Sequence, residues 1–229
     1  MVTVILVRHA VTAATGKRLG GRTPAPLSEE GRAQATVAAD RLAELPVKAV
    51  YSSPMVRTME TADEIARRHG LEVRELEGVQ EFDYGTWTDR PLGQLRRTKL
   101  WRAIQGAPSR VTFPKGESFR EAQTRAVEAL EGLVRRHSDR ALVVVVSHAD
   151  VIKSIVAHYA GIPLDMFQRL VVGPTSVSVL SLPREGPPSV LRLNDTGSLT
   201  PPPSERSRGA AGGGGRAGRS GDAAGGGGR

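Results

Sequence analysis

Apolar positions along the chain alternate between short unbroken runs and stretches with helical spacing. Thr3 to Val7 and Leu142 to Val146 are continuous apolar runs, the pattern of strands buried on both faces of a sheet. Val47 to Tyr51 is a third, shorter strand, and Thr175 to Leu182 with Val190 to Leu193 read as closing strands joined across Pro183 to Pro188. Between the runs lie four helical stretches. Ala35, Val37, Ala38, Leu42 and Leu45 form an apolar stripe that Ser28 can cap. Met55, Met59, Ala62 and Ile65 share one face of a second helix. A third opens with the capping box Ser118 and Glu121 and continues through Phe119, Ala122, Ala126, Leu130 and Leu133. The fourth follows Asp150, read as its N-cap, and stops at Gly161 and Pro163.

This order predicts an α/β, three-layer sandwich: a mostly parallel central sheet with helices on both faces, in residues 1–196. Residues 78–116 are irregular, with Gly85, Pro91, Gly106, Pro108 and Pro114, and are expected to form an insertion or lid over one end of the sheet. From residue 197 the sequence turns to Pro201-Pro202-Pro203 and two four-glycine runs, which bury too little surface to offset their ordering entropy; a disordered tail is expected over 197–229.

Composition narrows the chemistry. The 229 residues include no cysteine, which removes disulfide scaffolds, zinc-thiolate sites and cysteine nucleophiles. The formal charge of +8 suggests a polyanion partner until it is located: 32 Lys and Arg face 24 Asp and Glu, and outside the tail the two signs are interspersed. Nucleic acid is therefore not expected as a partner, with only the tail arginines left for such a contact. The first apolar run reaches Arg8 too soon to form a signal core, and no run is long enough to span a bilayer. A cytoplasmic protein with no membrane partner is expected; the oligomeric state is not legible.

Ligand crevices of open α/β sheets lie at the carboxyl ends of the strands, and two of these strands run directly into histidine. The first ends in Arg8-His9-Ala10, the long central one in Ser147-His148-Ala149-Asp150. The third leads through Ser52-Ser53-Pro54 to Arg57 in the first turn of a helix, and Glu81, Asp83 and Tyr84 bring oxygen groups into the insertion. Taken singly, each residue has a structural reading as good as a catalytic one: a strand-end histidine as a hydrogen bonder, Arg57 as a solvated helix residue. His69 and His137 are expected to be exposed, and His158 to serve packing.

Taken together, Leu6-Val7-Arg8-His9, Pro26-Leu27-Ser28-Glu29-Glu30-Gly31, Tyr51-Ser52-Ser53-Pro54 with Arg57 and Thr61-Ala62, Glu81 with Tyr84-Gly85, Gly116-Glu117-Ser118 and Ser147-His148 resemble the histidine phosphatase superfamily, the phosphoglycerate-mutase-like fold, over nearly all of residues 2–195. Val190 to Thr196 and Asp150 to Lys153 are similar to an actinobacterial-type subgroup called phosphomutases or phosphatases. The resemblance implies phosphoryl transfer without metal or cofactor. His9 would be the nucleophile. Arg8, Arg57 and His148 would surround the phosphate, and Glu81, preferred to Asp83, would protonate the leaving oxygen. Thr12, Thr15, Gly21 and Ala149 would complete the substrate contacts, although Thr15 stands where an asparagine is usual, Pro24 replaces a frequent aspartate, and Ala10 and Ala149 replace glycines.

Charge spread over phosphoryl oxygens calls for fixed cations, and arginine supplies paired planar donors. The guanidinium groups should hold His9 neutral, as attack requires, and should also keep Glu81 ionised in the empty site. The implied activity is hydrolysis of small phosphate monoesters. Alternatives are a phosphoglycerate-type phosphomutase, with Arg90, Arg96 and Arg97 as a carboxylate clamp, and a noncatalytic binder of phospholigands or polyanions.

Overall fold

A computed structural model describes residues 1–197, and Met1–Thr196 form one unit of the fold. The expected disordered tail lies outside the described residues apart from Gly197. The sheet has six strands: β1 (Val2–Arg8), β2 (Val47–Ser52), β3 (Val73–Glu75), β4 (Leu142–Ser147), β5 (Val177–Leu182) and β6 (Ser189–Asp195). Their order is β3-β2-β4-β1-β5-β6. The first four in that order are parallel, and β5 and β6 complete the sheet antiparallel to their neighbours. β1 and β4 lie side by side from Thr3 opposite Leu142 to Arg8 opposite Ser147, so both histidine-bearing ends finish at the same height.

Side chains alternate across these buried strands and feed two cores. Ile5, Val7, Val50, Val144 and Val146 pack under α1 (Glu29–Leu42) and α2 (Val56–Arg68), meeting Ala39, Leu42, Ala62 and Ile65. Val4, Leu6, Val143, Val145 and Leu180 face the opposite way, onto α5 (Phe119–Arg136) and α6 (Ala149–Tyr159). Each layer follows from the continuous apolar runs, which leave no polar face to hydrate.

Ser28 caps α1 by accepting from the Gly31 amide, and Ser118 and Glu121 form the reciprocal capping box of α5. The α1 stripe is narrower than expected, because Val37 is 60% exposed and the helix ends before Leu45. Ala35, Ala38 and Leu42 carry the buried face. On α2 the buried face is Arg57, Thr58, Thr61, Ala62 and Ile65, while Met55 sits at the cap and Met59 is half-buried. β3, three residues long at the sheet edge, is too short to leave a periodic signal.

Asp150 is not the cap of α6. β4 turns at His148, which holds the cap position in extended backbone, and Asp150 falls in the first helical turn. Three histidine expectations also change. His69 is half-buried, His137 is half-buried with Nε2 2.9 Å from the Tyr51 hydroxyl, and His158 is exposed, edge-on to the ring of Tyr159.

Residues 78–116 are less of a loose flap than their prolines and glycines suggest. They form two short helices, α3 (Leu92–Leu95) and α4 (Lys99–Gly106), with several single turns, and they bury Phe82, Trp87, Leu95, Ile104 and Phe113 in the same core as α5. Backbone bonds tie this segment to the loop after β1: Leu19 donates to Arg90, Asp89 to Leu19, and Leu92 to Lys17. Together the two segments form the outer wall of the crevice at the carboxyl ends of the strands.

Candidate active site

β1 ends at Arg8 and β4 at Ser147, and the next residue of each strand is the histidine. Their rings stand 5.2 Å apart, edge to face. α2 starts after the Ser52-Ser53-Pro54 turn at the end of β2, and its first turn carries Arg57, only 4% exposed, between them. A cavity of about 250 Å³ opens over this end of the sheet. Arg8, His9, Thr12, Thr15, Arg57, Glu81, Tyr84, Ala149 and Asp150 lie along it, and Ala14, Leu19, Ala25 and Leu92 supply an apolar part of the wall.

The histidines are set in opposite tautomers by their neighbours. His9 has Nδ1 2.7 Å from the carbonyl of Ala10, which can only accept, so Nδ1 carries the hydrogen. Its Nε2 therefore holds a lone pair, and Nε of Arg57 donates to it at 3.3 Å. In His148 it is Nδ1 that accepts, from Nη2 of Arg57 at 3.1 Å, which leaves Nε2–H for the hydroxyl of Ser53 at 2.8 Å. Burial is the main reason both rings lie well below the ordinary histidine pKa, with the Arg57 charge next and Arg8 adding to it. Both are neutral at physiological pH, as expected for His9.

Arg57 is held on every side. Nη1 donates to the Thr23 carbonyl at 3.1 Å and Nη2 to that of Gly21 at 2.7 Å. Arg8 donates from Nη1 to the Val172 carbonyl at 2.8 Å, while its buried Nε has no partner among the described residues. A buried cationic donor left unpaired at a cavity wall fits an anion that completes it.

Glu81 reaches the cavity and Asp83 does not: the latter accepts from the Gly85 amide and faces Arg22 outside. Contrary to the expectation of an ionised group, the Glu81 carboxyl is pushed up to about 7. Burial is the largest cause and Asp150 the second; together they outweigh Arg57, the Phe82 amide and Arg8.

The other expected contacts divide. Thr12 and Thr15 line the cavity and hold each other, the Thr15 hydroxyl accepting from the Thr12 amide at 2.9 Å. Ala149 lines it at the start of α6, where the positive end of the helix favours negative charge. Gly21 and His148 are not among the lining residues. Gly21, at φ +54°, lies under Tyr84 and Thr88 and offers its carbonyl to Arg57; His148 is fully buried behind the same guanidinium. Neither Arg90, Arg96 nor Arg97 lines the cavity; the rim arginine is Arg18, paired to Asp89 at 2.7 and 3.2 Å.

Sequence reasoning missed the frame behind Glu81. Arg125 of α5 donates to the carbonyls of Gly78, Gln80 and Glu81, and Arg22 donates to that of Glu81 as well. Glu117 holds Arg125 through both oxygens, at 2.7 and 2.9 Å, and accepts from the Asp83 amide. Asp150 was also misjudged: its carboxylate accepts from the Tyr84 hydroxyl at 3.2 Å and from Lys153, one turn later, at 2.8 Å.

The family model for the histidine phosphatase superfamily, branch 1, matches residues 4–196. The chain belongs to the histidine phosphatase superfamily. It is 33% identical over 200 residues to "Phosphoserine phosphatase 1" of Hydrogenobacter thermophilus, covering 86% of this chain and 93% of that one. It is 32% identical over 183 residues to a "Probable phosphoglycerate mutase" of Cronobacter sakazakii, covering 78% and 84%. Among solved structures, YhfR of Bacillus stearothermophilus superimposes with a TM-score of 0.80 at 28% identity over 86% of this chain and 98% of that one. A phosphoserine phosphatase of Entamoeba histolytica, solved with 3-phosphoglyceric acid, gives 0.76 at 26% identity over 86% and 98%. This histidine phosphatase has the α/β fold of the superfamily, with its mostly parallel sheet, and is an enzyme of the same class. Among the described residues no helix is long and apolar enough to cross a membrane.

Proposed function

We propose that this protein hydrolyses small phosphate monoesters in the cytoplasm, without a metal ion, through a phosphohistidine at His9. The observation that carries the reading is the unprotonated Nε2 of His9, whose lone pair accepts only a long hydrogen bond of 3.3 Å from Arg57. The Ala10 carbonyl fixes the ring tautomer, burial and two arginines keep the ring neutral, and His9 lines the cavity that Glu81 shares. A noncatalytic binder would have no use for a carboxyl poised near neutrality in the cavity that His9 lines.

In the first step Nε2 attacks phosphorus, the bond from phosphorus to the ester oxygen breaks, and the Glu81 proton passes to the departing oxygen. In the second, water gives a proton to Glu81 and attacks phosphorus, the N–P bond breaks and phosphate leaves. Arg8 and Arg57 stabilise the phosphoryl oxygens in both steps, with the Ala149 amide and Thr12 at the edge of the group. His148 orients Arg57 from behind.

The substrate is small because the cavity is: about 250 Å³ holds a phosphate and a few further heavy atoms. The printed activities of the relatives make phosphoserine and 3-phosphoglycerate natural members of a test panel. Hydrolysis rather than isomerisation is favoured because Arg90, Arg96 and Arg97, the clamp expected for a mutase, are not among the residues that line the cavity. The test is release of phosphate from p-nitrophenyl phosphate and from that panel by the wild type and by His9→Ala, each with and without a chelator. Loss of turnover in His9→Ala, insensitivity to the chelator, and ³²P retained on wild-type protein after brief mixing with labelled substrate are expected. Turnover by His9→Ala at the wild-type rate would overturn the reading.

A further inference from the structure

The mechanism needs Glu81 protonated before the first step, yet the group stands among cations. From β1 it faces Arg8, followed by His9; from α2 it faces Arg57; on its own segment the Phe82 amide donates to Oε1 at 3.0 Å and Tyr84 lies three residues on. From α6 come His148, whose neutral ring has Nδ1 3.8 Å from Oε2, and Asp150. Arg125 and Arg22 hold only its backbone carbonyl. Of these neighbours, Asp150 brings a negative charge.

We propose that Asp150 acts on Glu81 as a positioning charge across the cavity wall the two carboxyls share, favouring the protonated form of Glu81 in the resting enzyme. This rests on the reading of Glu81 as the proton donor. The geometry gives the two groups different fates. Asp150 is fastened at both oxygens, by Lys153 and by the Tyr84 hydroxyl, and Lys153 is itself braced by Gln168 at 2.8 Å. The Lys153 charge, those bonds and Arg8 overcome burial and hold Asp150 below the ordinary aspartate pKa, so it stays charged. Glu81 accepts one amide hydrogen bond and, among the described residues, has no lysine partner, so burial and then the fixed charge of Asp150 shift it toward the neutral form. Two carboxyls in one cavity are thus pushed apart in pKa, which assigns one to proton transfer and the other to holding charge. Lys153 and Tyr84 act on the donor through Asp150.

Asp150→Asn tests this by removing the charge while keeping the shape. A group titrating near 7 and required in its protonated form places an alkaline limb on kcat/KM, which reports the free enzyme. In Asp150→Asn that limb should move to lower pH by about one unit, so that the ratio of variant to wild-type kcat/KM falls roughly tenfold between pH 5.5 and pH 8. Asp150→Glu, which restores the charge, should return the limb towards the wild-type position. The ¹³C shift of the Glu81 carboxyl, followed against pH in the full chain, reads the same change without any turnover. A lowered Glu81 midpoint in Asp150→Asn together with the moved limb supports the proposal. A lowered midpoint with an unmoved limb keeps the role of Asp150 and removes Glu81 as the proton donor. An unchanged midpoint overturns the proposal whatever the kinetics show. Should Asp150→Asn fail to fold, Asp150→Ser is read by the same two measurements.

Discussion

Nε of Arg57 donates to Nε2 of His9 across 3.3 Å, so the arginine that would bind the phosphoryl group also occupies the nucleophile's lone pair in the empty site. Substrate must take this hydrogen bond over. In the proposed mechanism the phosphate oxygens would draw the guanidinium and release Nε2 toward phosphorus, and the same charge that protects its lone pair from protonation would face the developing charge. Because the Gly21 and Thr23 carbonyls hold the other edge of the group, little reorganisation accompanies the exchange.

That arrangement makes Arg57→Lys far from conservative. A lysine carries the charge but cannot reach His9, Gly21, Thr23 and His148 from one planar group. The expected cost in kcat is ~10²- to 10³-fold, the order found on removing a preorganised donor. His9 should still be labelled by substrate phosphate, only more slowly, and labelling at the wild-type rate in a rapid-quench measurement would separate Arg57 from the chemical step.

Glu81→Gln should cost between ~10² and 10⁴ in kcat/KM for alkyl phosphates. The loss depends on the leaving group. p-Nitrophenolate departs without a proton, so phosphorylation of His9 by p-nitrophenyl phosphate should survive far better than by an alkyl ester. The wild-type alkaline limb near pH 7, where Glu81 gives up its proton, should vanish in the variant. The sign follows from the raised pKa: the active, protonated form prevails below it and is lost above it. A pH profile on two substrates of different leaving-group acidity measures both effects at once.

Much of this was legible because it is local. The continuous runs at β1 and β4, the capping box of α5 and the strand-end histidines are each written within a few consecutive residues, and strand-end placement sets the rings of His9 and His148 5.2 Å apart. What was not legible depends on contacts between distant segments. Burial of Glu81 comes from the packing of residues 78–116 against α5, so its raised pKa could not be read from the arginines alone, which point the other way. Asp150 follows a strand and precedes an apolar stripe, which reads as a cap; its bond to Tyr84 arises because the insertion folds over α6, while its bond to Lys153 is made within the helix. The i, i+3 spacing of Asp150 and Lys153 was the one local hint. Residues 198–229 lie outside the described structure, and the expectations for them rest on composition.

Arg125 gives the test of whether the frame behind the site matters as much as the site. It lies mostly buried, spends three donors on the carbonyls of Gly78, Gln80 and Glu81, and is itself gripped by Glu117. Arg125→Met keeps the apolar stem and leaves those carbonyls and the Glu117 carboxylate short of partners. The cost to stability should be about 2–4 kcal/mol, the range for breaking a hydrogen-bonded charge pair that water reaches poorly. Urea unfolding measures it. Activity should fall by more than the loss of folded protein explains, because a carboxyl shifted by even ~1 Å loses its line to the departing oxygen. The deficit should lie in kcat rather than KM, since Arg8, Arg57 and Thr12 are set by other elements. It should also be smaller on p-nitrophenyl phosphate, whose leaving group does not need Glu81. A variant that unfolds at lower urea yet keeps its full kcat on alkyl phosphates would show that the Glu81 segment is positioned by its own core contacts at Phe82 and Tyr84, and that Arg125 serves the fold alone.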